Sequence, residues 1–182
     1  MASGTFIALL RGINVGGKNP LPMKELAVIF EEHGASEVRT YIQSGNVVFR
    51  AAASKAARLP RLASAAIEAR FGHRPPIVLR TSEELIAALA GNPFASAGAD
   101  EKALHLAFLE AAPSAERVAA LDPKRSPGDT FAVHGKHVYL HLPNGVGRTK
   151  LTNAYLDTKL GTTSTVRNWR TVRELAAMCS PA

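Results

Sequence analysis

The first group of residues that could do chemistry is a glycine-rich loop after an apolar stretch. Its spacing, Gly12-x-x-x-x-Gly17-Lys18, matches the start of a phosphate-binding P-loop. Asn19 stands where such a loop has the Ser or Thr that holds Mg²⁺, and Pro20 removes an N–H that the phosphate cradle would need. The pattern therefore disfavours an ATPase or kinase. Two interpretations stay open, a looser anion-binding loop and a glycine-rich crossover that binds nothing. The candidate ligand-binding residues here are Arg11, Gly12, Asn14, Gly16, Gly17, Lys18 and Asn19.

A second glycine loop spans residues 144–150 and is predicted to lie between a strand and a helix. It contains Gly147, Arg148 and Lys150. Free N–H groups and the positive end of a helix favour an anion, and the two basic side chains would add charge-assisted hydrogen bonds. The alternative is a simple turn with solvated basic residues. We expect Arg148 and Lys150 to contact phosphate, and we include Gly147 among the candidate ligand-binding residues.

Two polar clusters complete the candidate site. Gln43, Ser44 and Asn46 surround a predicted hairpin turn, which by itself requires only Gly or Asn at positive φ. The other cluster consists of consecutive residues that precede the last predicted helix, namely Arg167, Asn168 and Trp169. We expect Arg167 to bind phosphate and Trp169 to stack on a base or sugar, whereas packing and helix capping are the structural alternatives.

The sequence predicts no metal site and no cofactor. His137 and His141 are about 13 Å apart along one strand, so they cannot share a zinc ion. No Cys-x-x-Cys, His-Glu-x-x-His or Ser-His-Asp pattern is evident. Catalytic residues are therefore not assigned, and whether the protein is an enzyme stays open.

Hydrophobic periodicity indicates the elements that position these loops. Residues 5–11 predict a strand buried on both faces, and 23–30 carry an apolar helical stripe. A hairpin over 38–50, a helix ending at Phe71 and a short strand at 77–80 follow. The order βαββαβ is that of a ferredoxin-like unit. Residues 1–80 are therefore predicted to form a first ferredoxin-like subdomain.

The same order of elements is predicted to recur in the second half. Residues 81–102 connect the halves and are predicted to form a capped helix that ends at Gly91 and a loop over 91–102. Residues 103–182 then give strand, helix, hairpin, helix and strand, followed by an extra C-terminal helix. The fold class is α+β, with two tandem ferredoxin-like βαββαβ subdomains. The repeat is one of pattern only, because the halves share no convincing residue-level similarity.

Charge and composition point to a globular protein with an anionic partner. The chain has 182 residues, a net charge of +7 and one cysteine, and 46% of its residues are hydrophobic. The positive surplus favours nucleic acid or a nucleotide, although a basic composition alone does not require such a partner. No apolar run is long enough to cross a membrane. We expect a cytoplasmic protein that does not bind a membrane, with a monomer favoured.

Several stretches together resemble the bacterial domain-of-unknown-function family numbered 1697. They are residues 8–19, 23–26, 38–49, 92–94, 139–143, 147–150 and 165–172. The signature positions of that family match Arg11, Gly12, Asn14, Gly17, Lys18, Gln43, Ser44, Gly45 and Asn46. The resemblance implies two ferredoxin-like subdomains, in agreement with the pattern above, and implies no activity, substrate or cofactor.

The leading functional prediction is a protein that binds a phosphate-bearing ligand, nucleic acid or nucleotide, through its glycine-rich basic loops. One alternative is an enzyme that acts on a small anionic substrate in a cleft between the halves. The other is a non-catalytic interaction module, in which these residues only cap helices and form turns. The prediction depends on whether the loops at 12–19, 43–46 and 147–150 meet in space.

Overall fold

The structure, a computed structural model, describes residues 3–179. Its internal contacts divide the chain into two units. The first unit contains residues 3–86 and 175–179, and the second contains residues 87–174. Both divisions, between residues 86 and 87 and between 174 and 175, fall inside helices. Within the described range no helix is long and apolar enough to cross a membrane.

The first unit contains a four-stranded antiparallel sheet with its helices. Its elements are β1 (Ser3–Leu10), α1 (Met23–Glu32), β2 (Ser36–Tyr41), β3 (Asn46–Ala52), α2 (Ala53–Ala56), α3 (Leu59–Phe71), β4 (Ile77–Thr81) and the beginning of α4 (Ser82–Ala90). The strand order is β2-β3-β1-β4, as in a ferredoxin-like sheet. The predicted βαββαβ order of this half is confirmed.

The core of the first unit explains why β1 is a continuous apolar run. Phe6, Ala8 and Leu10 lie in one cluster with residues of α1 and α3, including Leu26 and Ile67. The intervening residues of β1 are fully buried as well. Since both faces of the strand are covered, alternation with polar residues is absent, as the sequence predicted.

The second unit has the same layout. Its elements are the end of α4, α5 (Pro93–Ser96), β5 (Leu104–Leu109), α6 (Ala115–Ala119), β6 (Thr130–His134), β7 (His137–His141), α7 (Asn153–Leu160), β8 (Ser164–Asn168) and most of α8 (Trp169–Cys179). The strand order, β6-β7-β5-β8, repeats that of the first sheet. Leucines of β5, β7 and α7 fill its core. The predicted pair of ferredoxin-like halves with a C-terminal helix is therefore present.

Strand register shows how closely the halves correspond. Ile7 in the first sheet pairs with Val48 on one side and Arg80 on the other. Leu106 in the second sheet pairs with Tyr139 and Arg167 in the same way. Arg80 and Arg167 therefore occupy equivalent positions. Burial lowers the pKa of each guanidinium to about 10. Both arginines nevertheless stay charged at neutral pH.

The helix that follows β4 begins at its predicted capping signal, whereas one short helix was missed. Thr81 and Glu84 form the predicted capping box, with each backbone N–H bonded to the other side chain at 3.0 and 3.2 Å. Residues 91–102 were predicted to be loop, but they contain α5 and a short 3₁₀ turn. Asn92 begins α5 by accepting hydrogen bonds from two backbone N–H groups. A helix of one turn has too short an apolar period to be predicted from sequence.

Candidate functional site

The first glycine loop forms a small hairpin that ends in a tight turn. The N–H of Lys18 donates to the carbonyl of Val15 at 3.0 Å, and the N–H of Asn14 donates to the carbonyl of Asn19 at 3.0 Å. Gly16 and Gly17, the central residues, have φ of +56° and +73°. Positive φ at both central positions is typical of a type I′ turn, which glycine allows. The loop is thus a two-residue hairpin, and it differs from a P-loop that runs directly into a helix.

Asn14 and Asn19 hold this hairpin together. The amide of Asn14 accepts from the N–H of Leu21 at 2.7 Å and donates to the carbonyls of Leu21 and Gln43, both at 2.9 Å. The Asn19 amide donates to the carbonyl of Gly12 at 2.7 Å. Both asparagines have φ of +51°, a left-handed conformation that Asn tolerates better than most residues. These amides, predicted to bind a ligand, are used to close the loop.

The β2–β3 turn packs against the same end of β1 as this hairpin. The N–H of Leu10 donates to the carbonyl of Gly45 at 2.8 Å. Asn46 is fully buried, and its amide donates to the carbonyl of Tyr41 and to Ser44 Oγ. The first unit therefore brings together two of the predicted loops, 12–19 and 43–46. Asn46 and Ser44 serve the turn, which spans Ile42 to Gly45.

The exposed side chains of these two loops are of mixed character. Lys18 and Gln43 are exposed, and Arg11 is half-buried. Val15 and Ile42 are also exposed, by 65% and 50%. Ile42 has φ of +47°, a rare conformation for a β-branched residue. The surface thus presents apolar side chains beside its cationic groups.

In the second unit a different pair of loops is joined. The backbone N–H of Lys150 donates to Ser126 Oγ at 3.0 Å, and Ser126 Oγ donates to Asp129 Oδ2 at 2.6 Å. Ser126 and Asp129 are both buried, with 6% exposure each. This chain of hydrogen bonds, which we call the Ser126 clasp, attaches the 143–152 loop to the 122–129 loop. Since both bonded side chains are buried, the clasp holds the backbones of the two loops together.

Four basic side chains lie on the two loops that the clasp joins. They are Lys124, Arg125, Arg148 and Lys150, all of them exposed. The Arg125 guanidinium lies over the ring of Tyr155, 5.0 Å from its centroid. Among residues 3–179 none of the four forms an ion pair with Asp or Glu. The nearby carboxylate of Asp122 accepts the N–H of Lys124 at 2.8 Å. We call these four residues the clasp cations.

Sequence reasoning found two of the clasp cations and missed Lys124 and Arg125. Their only sequence signal is a pair of adjacent basic residues between two prolines in a predicted loop. The bond that brings them to the second glycine loop joins residues 24 positions apart. That proximity depends on the tertiary fold.

Comparison with known proteins identifies the family but no activity. The model of a family described as "Protein of unknown function (DUF1697)" matches residues 4–139. The chain belongs to the DUF1697 family. A solved structure described as conserved bacterial protein SP0830 from Streptococcus pneumoniae has a TM-score of 0.76 and 24% sequence identity. The match covers 98% of this chain and 100% of that one, and at this identity it shows the fold alone. No curated protein matches the chain.

Two more predicted ligand residues of this DUF1697 chain are buried, as Asn46 is. Arg167 is 8% exposed and donates to Thr165 Oγ1 and to the carbonyl of Val166, at 2.8 and 2.9 Å. Trp169 is 3% exposed, so its ring has no free face for stacking on a ligand. Asn168 accepts the N–H of Thr171 at 2.8 Å and caps α8, as one alternative predicted. We therefore leave these three residues out of the proposed site.

Among residues 3–179, the histidine, cysteine and carboxylate side chains do not assemble into a metal site. Over the part of the chain that the structure describes, no group of three or more such residues could hold an ion. Cys179 lines a groove of about 750 Å³ in the first unit, beside Arg39 and Glu83. Burial raises the pKa of its thiol to about 11. The thiol is therefore neutral at physiological pH and a poor nucleophile.

Proposed function

We propose that this DUF1697 protein binds the phosphate backbone of nucleic acid through the clasp cations. The observation that carries the proposal is the Ser126 clasp, which holds two basic loops together. The net charge of +7 supports an anionic partner. Arg11, Lys18 and Gln43 in the first unit form a second, weaker candidate surface, because their neighbours Val15 and Ile42 are apolar and exposed.

The geometry suits phosphate for two reasons. When exposed Lys and Arg side chains without acidic partners bind a phosphate chain, the counterions condensed on the nucleic acid are released. This release drives association. The guanidinium of Arg125 is positioned by the Tyr155 ring, and Arg presents a planar pair of donors to phosphate oxygens. The carboxylate of Asp122 accepts the backbone N–H of Lys124, and that of buried Asp129 accepts from Ser126 Oγ.

Salt dependence gives the proposal a magnitude. If the clasp cations contact four phosphates of a duplex, the slope of log K against log salt is about −3.6. Raising the salt from 50 to 200 mM then weakens binding about 150-fold. For a single strand the expected slope is about −2.8.

The test uses fluorescence anisotropy with labelled 20-nucleotide single-stranded and duplex probes over a salt series. Lys150→Ala retains the backbone N–H and hence the clasp, and it removes the side chain beyond Cβ together with its ammonium group. We expect it to weaken binding to every sequence and to reduce the slope by about one. Arg148→Ala should behave in the same way.

The matched control is Lys159→Ala. Lys159 is an exposed lysine in the last turn of α7, whereas Lys150 precedes the first turn of that helix. The control should bind like the unchanged protein. Absence of binding at 50 mM salt, or equal loss from Lys159→Ala and Lys150→Ala, would overturn the proposal.

A further inference from the structure

A cavity lies beside the second glycine loop, within the second unit. Its volume is about 200 Å³. The walls are mainly apolar side chains of β7, β8 and the adjoining loop, contributed by Leu140, Leu142, Val146, Leu151 and Val166. Val146 is 55% exposed although it is apolar. A flat apolar group that entered the cavity would therefore cover surface that water now contacts.

Three polar residues also line the cavity. They are Thr149, Thr152 and Asn153. Thr149 Oγ1 and Thr152 Oγ1 accept hydrogen bonds from backbone N–H groups, which leaves each hydroxyl proton available. Asn153 Oδ1 accepts from Ser164 Oγ at 3.1 Å, and its amide nitrogen donates to no group within residues 3–179. The lining thus offers hydrogen-bond donors beside apolar walls.

Size and charge together restrict the occupant. A volume of about 200 Å³ is below the usual 300–1,000 Å³ of pockets for whole ligands, so the cavity suits a single ring system. Arg148 and Lys150 flank Thr149 in the chain, and both are exposed. An apolar cavity with donors, next to two cations, is complementary to a heteroaromatic ring that carries a phosphate.

We propose that this cavity takes the base of a nucleotide unit whose phosphate is bound by Arg148 and Lys150. The inference rests on the proposed function and adds to it a subsite for one unstacked base. Base recognition of this kind separates single strands, whose bases are free to leave the stack, from duplexes. The shared chemistry is a base joined to a phosphate, from either a free nucleotide or a single strand.

The decisive measurement compares two single-stranded oligomers on the unchanged protein. One carries bases, and the other has abasic sites but the same number of phosphates. At fixed salt we expect the base-bearing oligomer to bind about tenfold more tightly, which is within the usual contribution of one stacked base. Lys150→Ala should weaken both oligomers by the same factor, because it removes a phosphate contact only.

Val146→Phe tests the cavity directly, because the phenyl ring that it introduces at the mouth of the cavity competes with the base. We expect the affinity ratio of the two oligomers to fall to about one. Val28→Phe is the matched control, because Val28 is also an exposed valine but lies in α1 of the first unit, outside both glycine loops. It should leave the ratio unchanged. Thermal unfolding of each variant verifies that it is folded.

The outcomes separate the two proposals. Equal affinity for both oligomers, with a steep salt dependence, overturns the base subsite and leaves phosphate binding intact. Absence of binding to either oligomer overturns the base subsite, and it overturns the proposed function as well when the duplex probe also fails to bind. If a nucleoside monophosphate displaces the base-bearing oligomer, the source of the base is a free nucleotide. If it does not, while the tenfold ratio holds, the source is a single strand.

Discussion

Replacing Gly45 with alanine should destabilise the first unit through a steric clash that the sequence does not reveal. Gly45 has φ of +76°, and a Cβ placed there would lie 2.7 Å from Leu10 Cβ and 2.8 Å from Ile13 Cδ1. Gly17 is a matched control in the same unit. Its φ is +73°, and a Cβ there would meet no atom within 4 Å.

Both substitutions place alanine at positive φ, and only Gly45→Ala adds a steric clash. Alanine in the left-handed region costs about 1–2 kcal/mol, and the reduced entropy of the unfolded chain offsets about 0.4–1 kcal/mol of it. Gly17→Ala should therefore cost about 1 kcal/mol. Gly45→Ala adds overpacking of about 1–3 kcal/mol, because Leu10 Cβ cannot rotate away. Its total should be about 2–4 kcal/mol.

Urea unfolding followed by circular dichroism measures both free energies of unfolding. Because Gly45 and Gly17 lie in the same unit, their difference does not depend on whether the second unit unfolds in the same transition. A difference smaller than about 0.5 kcal/mol would refute the reasoning, since it would show that Leu10 and Ile13 move aside without cost.

Three further predictions concern stability and burial. Asn14→Ala removes three hydrogen bonds, so the free energy of unfolding measured with urea should fall by about 2–3 kcal/mol. The control, Gln43→Ala at an exposed side chain, should lower it by less than about 0.5 kcal/mol. Burial lowers the pKa of His105 in the folded state. As the pH falls below about 6.5, the unfolded state therefore binds a proton more readily than the folded state does. The melting temperature should then decrease towards pH 5, and His105→Gln should flatten this decrease, whereas an unchanged profile would contradict it. Trp169 fluorescence should resist iodide quenching until the chain unfolds, since its ring is 3% exposed. Quenching in the native state would contradict that burial.

Local patterns determined the elements and their order. The apolar run of β1, the capping box at Thr81 and the positive-φ glycine after α3 are all short-range signals, and each is present in the structure. Their order was sufficient to predict two ferredoxin-like halves, because few arrangements of βαββαβ bury one face of a sheet. Within residues 91–102 the short helix α5 was not predicted, because a single helical turn has no measurable hydrophobic period.

The candidate site was predicted less well, because residue type does not show whether a polar group is already bonded. Asn14 was assigned to a ligand, yet its acceptors include the carbonyl of Gln43, which is 29 positions away. Arg167 and Trp169 follow one another closely in a polar stretch, but both are buried. Hydrogen bonding and burial of this kind depend on which strands pair and on what packs against them.

The sequence by itself determined the fold class, the family and the two glycine loops, because these follow from composition, spacing and backbone preference. Only the tertiary structure decided which loops meet. It placed 43–46 against 12–19, and it joined the loop of Lys150 to that of Lys124 through Ser126. The physical reason is that a hydrogen bond between distant residues depends on the geometry of the whole sheet, which no local pattern encodes.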